Sequence, residues 1–361
     1  MSFCDLALAY VGQLQPYVPG KPIEELEREL GLSNIVKLAS NENPLGPSDK
    51  VLTAIADAVK EVNLYPDGNG FALKAALAEH YQLKTAQITL GNGSNDVLEL
   101  LARAFVSPSD EVLFSQYSFA VYPLVTQAIG AQAVIAPARD YGHDLHAMST
   151  LISERTKLIF IANPNNPTGT SIAVEELEEF ISQVPEHILV VLDEAYVEYS
   201  EHDVDTVLWL EKYPHLIITR TFSKAYGLAG LRVGYALSNA EVADLLNRIR
   251  QPFNVNSIAL AAARQAISDH DYLVATRNNN DQGMAQLIKG FDTLGLSYIP
   301  SKGNFITVNV QRKGDDVFTE LLKLGVIVRP VTNYGLVNYI RVSIGLPAEN
   351  QQFLDALRTI L

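Results

Sequence analysis

Cysteine is almost missing from this chain: Cys4 is the only one in 361 residues. A lone thiol excludes intrachain disulfides and thiolate metal clusters, so a reducing compartment and no metal site are expected. Positive charge is scarce too. Lys and Arg number 27 against 41 Asp and Glu, giving a net charge of −14, the wrong sign for a nucleic-acid partner or an anionic membrane surface. No apolar run approaches the ~18 residues of a membrane span. The first residues, Met1-Ser-Phe-Cys-Asp-Leu6, lack the basic start of a signal peptide. A cytoplasmic protein with neither membrane nor nucleic acid as partner is therefore expected. Internal repeats and low-complexity tracts are also absent. What is present is 48% hydrophobic and 19% charged residues, the balance of a globular enzyme. The length favours one large domain with a smaller one.

The first 40 residues read as an arm. Gln15-Pro-Tyr17-Val-Pro-Gly20-Lys-Pro22 is expected to be extended, because the residue before a proline is pushed out of the helical region. Pro22 then opens a short helix with Ile23, Leu26 and Leu30 on one face. Ser40-Asn-Glu-Asn-Pro44 lies in an aperiodic loop. Leu52, Ile55, Val59 and Val62 share the face of a following helix, and Asn63-Leu-Tyr65-Pro-Asp-Gly-Asn-Gly70 is a second loop. A helix over 71–81 leads to a strand at 88–90 and then to Gly91-Asn-Gly-Ser-Asn-Asp96, which opens another helix. Strand, glycine turn and helix N-terminus form an anion site, because the first N–H groups of a helix lack internal partners. A tight turn in which Asp96 serves the helix dipole competes with that reading.

Short apolar runs at 112–114, 133–136, 157–162, 187–192 and 216–218 alternate with helical patterns. That alternation predicts an α/β fold with a mainly parallel sheet covered by helices on both faces. Functional residues of such sheets gather beyond the carboxyl ends of the strands. Four segments sit there: Ser118-Phe119-Ala-Val-Tyr122, Asn163-Pro-Asn-Asn166-Pro-Thr-Gly169, Asp193-Glu-Ala-Tyr196 and Ser223-Lys224. A lysine at the mouth of a buried strand becomes an amine nucleophile once burial or nearby positive charge lowers its pKa. Arg232 with Thr221 and Ser223 suits a phosphate. From this stretch alone, a surface lysine in a glycine-containing loop competes with that reading. After residue 237 come a long helical region broken at Gln251-Pro-Phe-Asn254, strands near 304–309, 325–329 and 339–344, and a last helix. This is a small α+β unit. Arg329 and Arg341 on its strands are either structural ion-pair partners or the lining of a cleft.

Asn166, Asp193, Lys224 and Arg232 follow one another at intervals of 27, 31 and 8 residues. Asn-Pro-Thr-Gly, Asp-Glu-Ala-Tyr and Ser-Lys…Arg in that order resemble the fold-type I aminotransferases that use pyridoxal 5'-phosphate (PLP). Within them, Pro16-Tyr17, Ser40-Asn-Glu-Asn-Pro44 and Arg329-Pro330…Tyr339-Ile-Arg341-Val-Ser-Ile-Gly345 are most similar to the histidinol-phosphate aminotransferases. The resemblance covers nearly the whole chain. It implies a large PLP-binding domain over 41–280, a small domain over 281–361, and an arm over 1–40 that belongs to the small domain.

It also implies roles. Lys224 forms the Schiff base with PLP, Asp193 partners the ring nitrogen, and Asn166 and Tyr196 donate to the ring oxygen. Phe119 stacks on the ring, a place often held by tyrosine. Gly93, Ser94, Asn95, Thr221, Ser223 and Arg232 hold the phosphate, joined by Tyr65 from the other subunit of a homodimer. Asn95-Asp96 departs mildly from the usual Gly-Ser-Asp-Glu and loses one carboxylate. Tyr17, Asn43, Arg329 and Arg341 fall to the substrate. The implied reaction moves an amino group between L-histidinol phosphate and 2-oxoglutarate, giving glutamate, in histidine biosynthesis. A phenylalanine or tyrosine transaminase would share every cofactor residue, and so would a PLP decarboxylase of threonine phosphate. A PLP-fold regulator would need a basic DNA-binding segment, which this acidic chain lacks.

Overall fold

The computed structural model describes residues 3–16, 20–200 and 205–361. The apolar runs become the centre of a seven-stranded sheet. Its order is Ile88–Gly91, Gly234–Leu237, Leu216–Thr221, Leu189–Asp193, Thr156–Ala162, Glu111–Ser115 and Gln132–Ala136. Five strands, from Leu216–Thr221 to Gln132–Ala136, run parallel, and Gly234–Leu237 is antiparallel to both of its neighbours. Leu158 to Ile161, Val190 to Leu192 and Leu216 to Ile218 are fully buried. Burial on both faces explains why these strands read as unbroken apolar runs rather than as alternation. Helices Ser94–Phe105 and Val174–Gln183 cover the sheet through Leu98, Leu101 and Ala102 on one side and Leu177, Phe180 and Ile181 on the other. This mainly parallel α/β arrangement is the expected one.

A smaller antiparallel sheet, ordered Tyr298–Ile299, Phe305–Asn309, Tyr339–Ser343 and Arg329–Pro330, has its own apolar core. Val36–Lys37 pairs in parallel with Val326–Ile327, which ties the start of the chain to this smaller unit. Helix His270–Leu294 joins the two bodies. Leu273 packs on the large core, whereas Leu287 and Phe291 enter the small one, so the proposed boundary near residue 280 falls inside a continuous helix.

Two helices differ from the periodic reading. In Asp49–Ala58 the buried residue is Val51, while Leu52 and, beyond the helix, Val59 and Val62 are exposed. In Ile23–Leu30 only Leu26 is buried. Both apolar stripes are wider than the surface this chain supplies to cover them. Among the described residues, no helix is long and apolar enough to cross a membrane.

Candidate active site

The carboxyl ends of the central strands open into a cavity of about 370 Å³. The small sheet closes it from the other side with Arg329 and Arg341, and the turn Thr332–Tyr334 between their strands adds Tyr334. Asn166, Asp193, Tyr196, Thr221, Ser223, Lys224 and Arg232 all line it, together with Ser94, Asn95 and Phe119.

Asp193 ends its strand at the floor and is 4% exposed. One carboxylate oxygen, Oδ2, accepts the Tyr122 hydroxyl at 2.8 Å. The other, Oδ1, is buried with no partner. Burial raises this carboxyl to about 6, and the Tyr122 hydrogen bond is the largest influence opposing the rise. An unpartnered buried carboxylate oxygen is costly unless a donor arrives. A protonated ring nitrogen is such a donor.

Lys224 projects from the segment after strand Leu216–Thr221, and its Nζ donates to the Ser40 carbonyl at 3.1 Å. Burial, then the Arg341 guanidinium, and more weakly Arg232, bring the amine down to about 8 against the pull of Glu42 and Asp193. Tyr196 is buried, which raises its phenol to about 12. It accepts a bond from Asn41 Nδ2 at 2.9 Å and so keeps its own hydrogen to donate.

The opposite end of the cavity is an anion cradle. Gly93 sits at φ +84°, and a Cβ there would lie 2.4 Å from Arg232 Nη2. Strand Gly234–Leu237 also needs its first glycine, since a Cβ at Gly234 would meet the Ser94 nitrogen at 2.4 Å. These two close approaches set the N-terminus of helix Ser94–Phe105 beside Arg232. Arg232 Nη1 donates to Ser223 Oγ at 3.3 Å, and the Thr221 hydroxyl accepts the Ser223 N–H at 3.1 Å. Asp96 closes the turn, accepting from the Asn92 N–H and from Asn254 Nδ2. The turn role of Asp96 therefore leaves the anion role open. A group with a phosphate at one end and a protonatable ring nitrogen at the other fits this donor set.

Arg341 is 8% exposed and held firmly: Nη1 donates to Asn166 Oδ1 at 2.6 Å and Nη2 to the Ala39 carbonyl at 2.8 Å. Its guanidinium also lies over the Phe305 ring. Arg329 pairs with it in register on the neighbouring strand, so both face the cavity.

Two expected residues lie elsewhere. Asn43 does not line the cavity. Its side chain bonds the Ala225 carbonyl, Tyr272 and Thr276, clamping the loop to the segment after Lys224. Asn41, at φ +53°, is the loop residue that reaches the site, through Tyr196. Tyr65 is 84% exposed and stacks on Phe253 at 4.8 Å, away from the cavity of its own chain. Tyr17 lies outside the described residues. Asn41 and Tyr122 lie in segments that the sequence points to but, like Tyr334, were given no role from it. The signal available for Asn41 was that asparagine tolerates left-handed backbone. For Tyr122 it was the helical spacing of three from Phe119.

The family model for aminotransferase class I and II matches residues 33–357. The chain belongs to the class I and II aminotransferases. Among aminotransferases it is 60% identical to histidinol-phosphate aminotransferase 2 of Pseudomonas fluorescens, over 99% of this chain and 98% of that one. It is 58% identical to the Pseudomonas aeruginosa enzyme of the same name, over the same shares. Its fold matches the crystal structure of Sinorhizobium meliloti histidinol-phosphate aminotransferase in complex with pyridoxal-5'-phosphate. There the TM-score is 0.90 and the identity 30%, covering 98% of both chains.

Proposed function

We propose that this aminotransferase is PLP-dependent and transfers the amino group of L-histidinol phosphate to 2-oxoglutarate in histidine biosynthesis. The observation that carries the reading is one cavity with a lowered lysine and an unpartnered carboxylate oxygen at its floor, an anion cradle at one end, and two arginines facing in. The relatives' shared name supplies the substrate.

PLP, when bound, supplies an aldehyde for the substrate amine and a ring that draws electrons from the substrate's α-carbon. The chain's own residues do the rest. Ser94, Asn95, Thr221, Ser223 and Arg232 hold the phosphate with short, charge-assisted bonds. Asp193 Oδ1 keeps a proton on the ring nitrogen. Asn166 gives its oxygen to Arg341 and so offers its N–H₂ to the cavity, beside the Tyr196 hydroxyl. Lys224 Nζ holds the cofactor at rest and, once released, takes the proton from the substrate's α-carbon. An amine with a pKa of about 8 is suited to accept and return a proton near neutral pH. Arg329 and Arg341 bind the distal anion, a phosphate in one half-reaction and a carboxylate in the other. Phe119, Val121 and Leu124 line the cavity and exclude water.

The active unit is a homodimer in the cytoplasm. Leu64, Tyr65 and Phe71 are exposed large apolar residues along a broad groove, with Val59 and Val62 close by in the chain. Such contiguous apolar surface marks an interaction site. Across it Tyr65 reaches the partner's phosphate cradle. The test is kcat/KM for histidinol phosphate, histidinol and phenylalanine side by side with 2-oxoglutarate. Histidinol phosphate should exceed histidinol by roughly a hundredfold, since each lost charge-assisted bond is worth about 1.5–3 kcal/mol. Equal use of the two would overturn phosphate recognition and favour an aromatic amino-acid transaminase.

A further inference from the structure

Tyr122 is fully buried in helix Val121–Ala128, among apolar rings. Its ring stacks on Phe160, with centroids 4.5 Å apart and planes 7° from parallel, and meets Phe119 edge-on at 5.9 Å. A phenylalanine would fill this space equally well. The hydroxyl therefore needs a reason, and its one hydrogen bond goes to Asp193 Oδ2 at 2.8 Å. That bond fixes the carboxylate's rotation, the Thr219 hydroxyl and the Ala195 N–H favour the anion more weakly, and Oδ1 is left without a hydrogen-bond partner.

We propose that Tyr122 is a positioning residue: its hydroxyl holds Asp193 in one orientation and keeps it ionised, so that Oδ1 can receive the protonated ring nitrogen of the cofactor. This rests on the PLP reading above. An ionised carboxylate only accepts hydrogen bonds, so a fixed O–H donor favours the anion over the acid. The other ionisable groups near Asp193 cannot substitute. Glu194 has the same sign and is turned to Arg220 at 2.7 Å. The Tyr196 hydroxyl meets Asn41 rather than Asp193 and keeps its hydrogen for the cavity, and Lys224 donates to Ser40. Phe119 meets Tyr122 edge-on and lines the cavity together with Asp193, so the Ser118-Phe119-Ala-Val-Tyr122 segment serves the ring and its carboxylate together.

The test replaces Tyr122 by Phe, which keeps the ring stack, and separately by 3-fluorotyrosine, a stronger donor of nearly the same shape. Three quantities are read on full-length protein. They are the infrared titration of the Asp193 carboxyl without cofactor, the PLP dissociation constant, and kcat. Tyr122→Phe should raise the Asp193 titration midpoint, weaken PLP binding tenfold to a hundredfold, the loss of one charged hydrogen bond, and lower kcat. The fluorinated residue should move the midpoint the other way. On an Asp193→Asn background, Tyr122→Phe should add little, because it acts through the missing carboxylate. A midpoint unmoved in both variants, or full additivity with Asp193→Asn, overturns the proposal. If Asp193→Asn alone leaves PLP affinity and kcat unchanged, it is the PLP reading that fails instead.

Discussion

The lowered pKa of Lys224 gives the most quantitative prediction. At about 8, roughly one Lys224 side chain in ten is a neutral amine at pH 7, against roughly one in three thousand at the ordinary value of 10.5. The site therefore raises the population of the reactive form by about 300-fold. The cause named first is burial, and the Arg341 guanidinium comes next. Protonated Lys224 is the unfavourable state. Its cost to the cofactor-free fold is fully present below about pH 8 and disappears as the pH rises toward 10.5. Trace acetylation of cofactor-free protein with acetic anhydride, mapped by peptide mass across pH 6–11, reads the neutral fraction at each lysine. Lys224 should be half-reactive near pH 8. Lys60, whose ammonium is raised above its usual value by the hydrogen bond to Asp57, should need a higher pH than Lys224. Arg341→Gln removes one charge but keeps a donor for the Ala39 carbonyl, and should move the Lys224 midpoint up. Lys224 titrating alongside the surface lysines would refute the claim that burial and the arginines activate it.

Three other outcomes are expected. Arg341→Lys keeps the charge but loses the planar fork that reaches Asn166 and Ala39 together. It should lower kcat/KM for histidinol phosphate about ten- to a hundredfold and for histidinol less. Asp193→Asn should fold normally and lower kcat by at least about a hundredfold. Because burial raises Asp193 to about 6, its ionisation costs the cofactor-free fold stability as the pH rises from about 4 through 6, and denaturant titration of Asp193→Asn should lack that decline. Finally, an inactive Lys224→Ala chain mixed with an inactive Tyr65→Glu chain should regain activity in hybrid dimers, one site of which has both native groups. No recovery in verified hybrids would place Tyr65 outside the site.

The order of chemistry along the chain was legible because strand ends are punctuated. A buried parallel strand is an apolar run, and its first polar residues mark the site edge, as at Asp193 and Thr221. The side chains that serve those residues were harder to see. Whether Asn41 or Asn43 of one loop faces the cavity depends on a single left-handed residue, and an aperiodic loop carries no spacing to reveal it. Tyr122 stands in a strand-end segment, but nothing in the sequence tells whether its ring or its hydroxyl serves the site. The pairing of Val36–Lys37 with Val326–Ile327 spans most of the chain and involves strands too short to show a period. Periodicity also put Leu52, Val59 and Val62 on one helix face. It reports an apolar stripe, not what covers it, and here that surface stays open in the single chain.

The central claim is that Lys224 carries the cofactor and that the cavity is built around it. Borohydride reduction of the protein saturated with PLP, followed by digestion and mass mapping, tests this directly. One phosphopyridoxyl group per chain should be found, on the peptide containing Lys224, and Lys224→Ala should take up none. Label on another lysine, or no covalent label at all, would contradict the account.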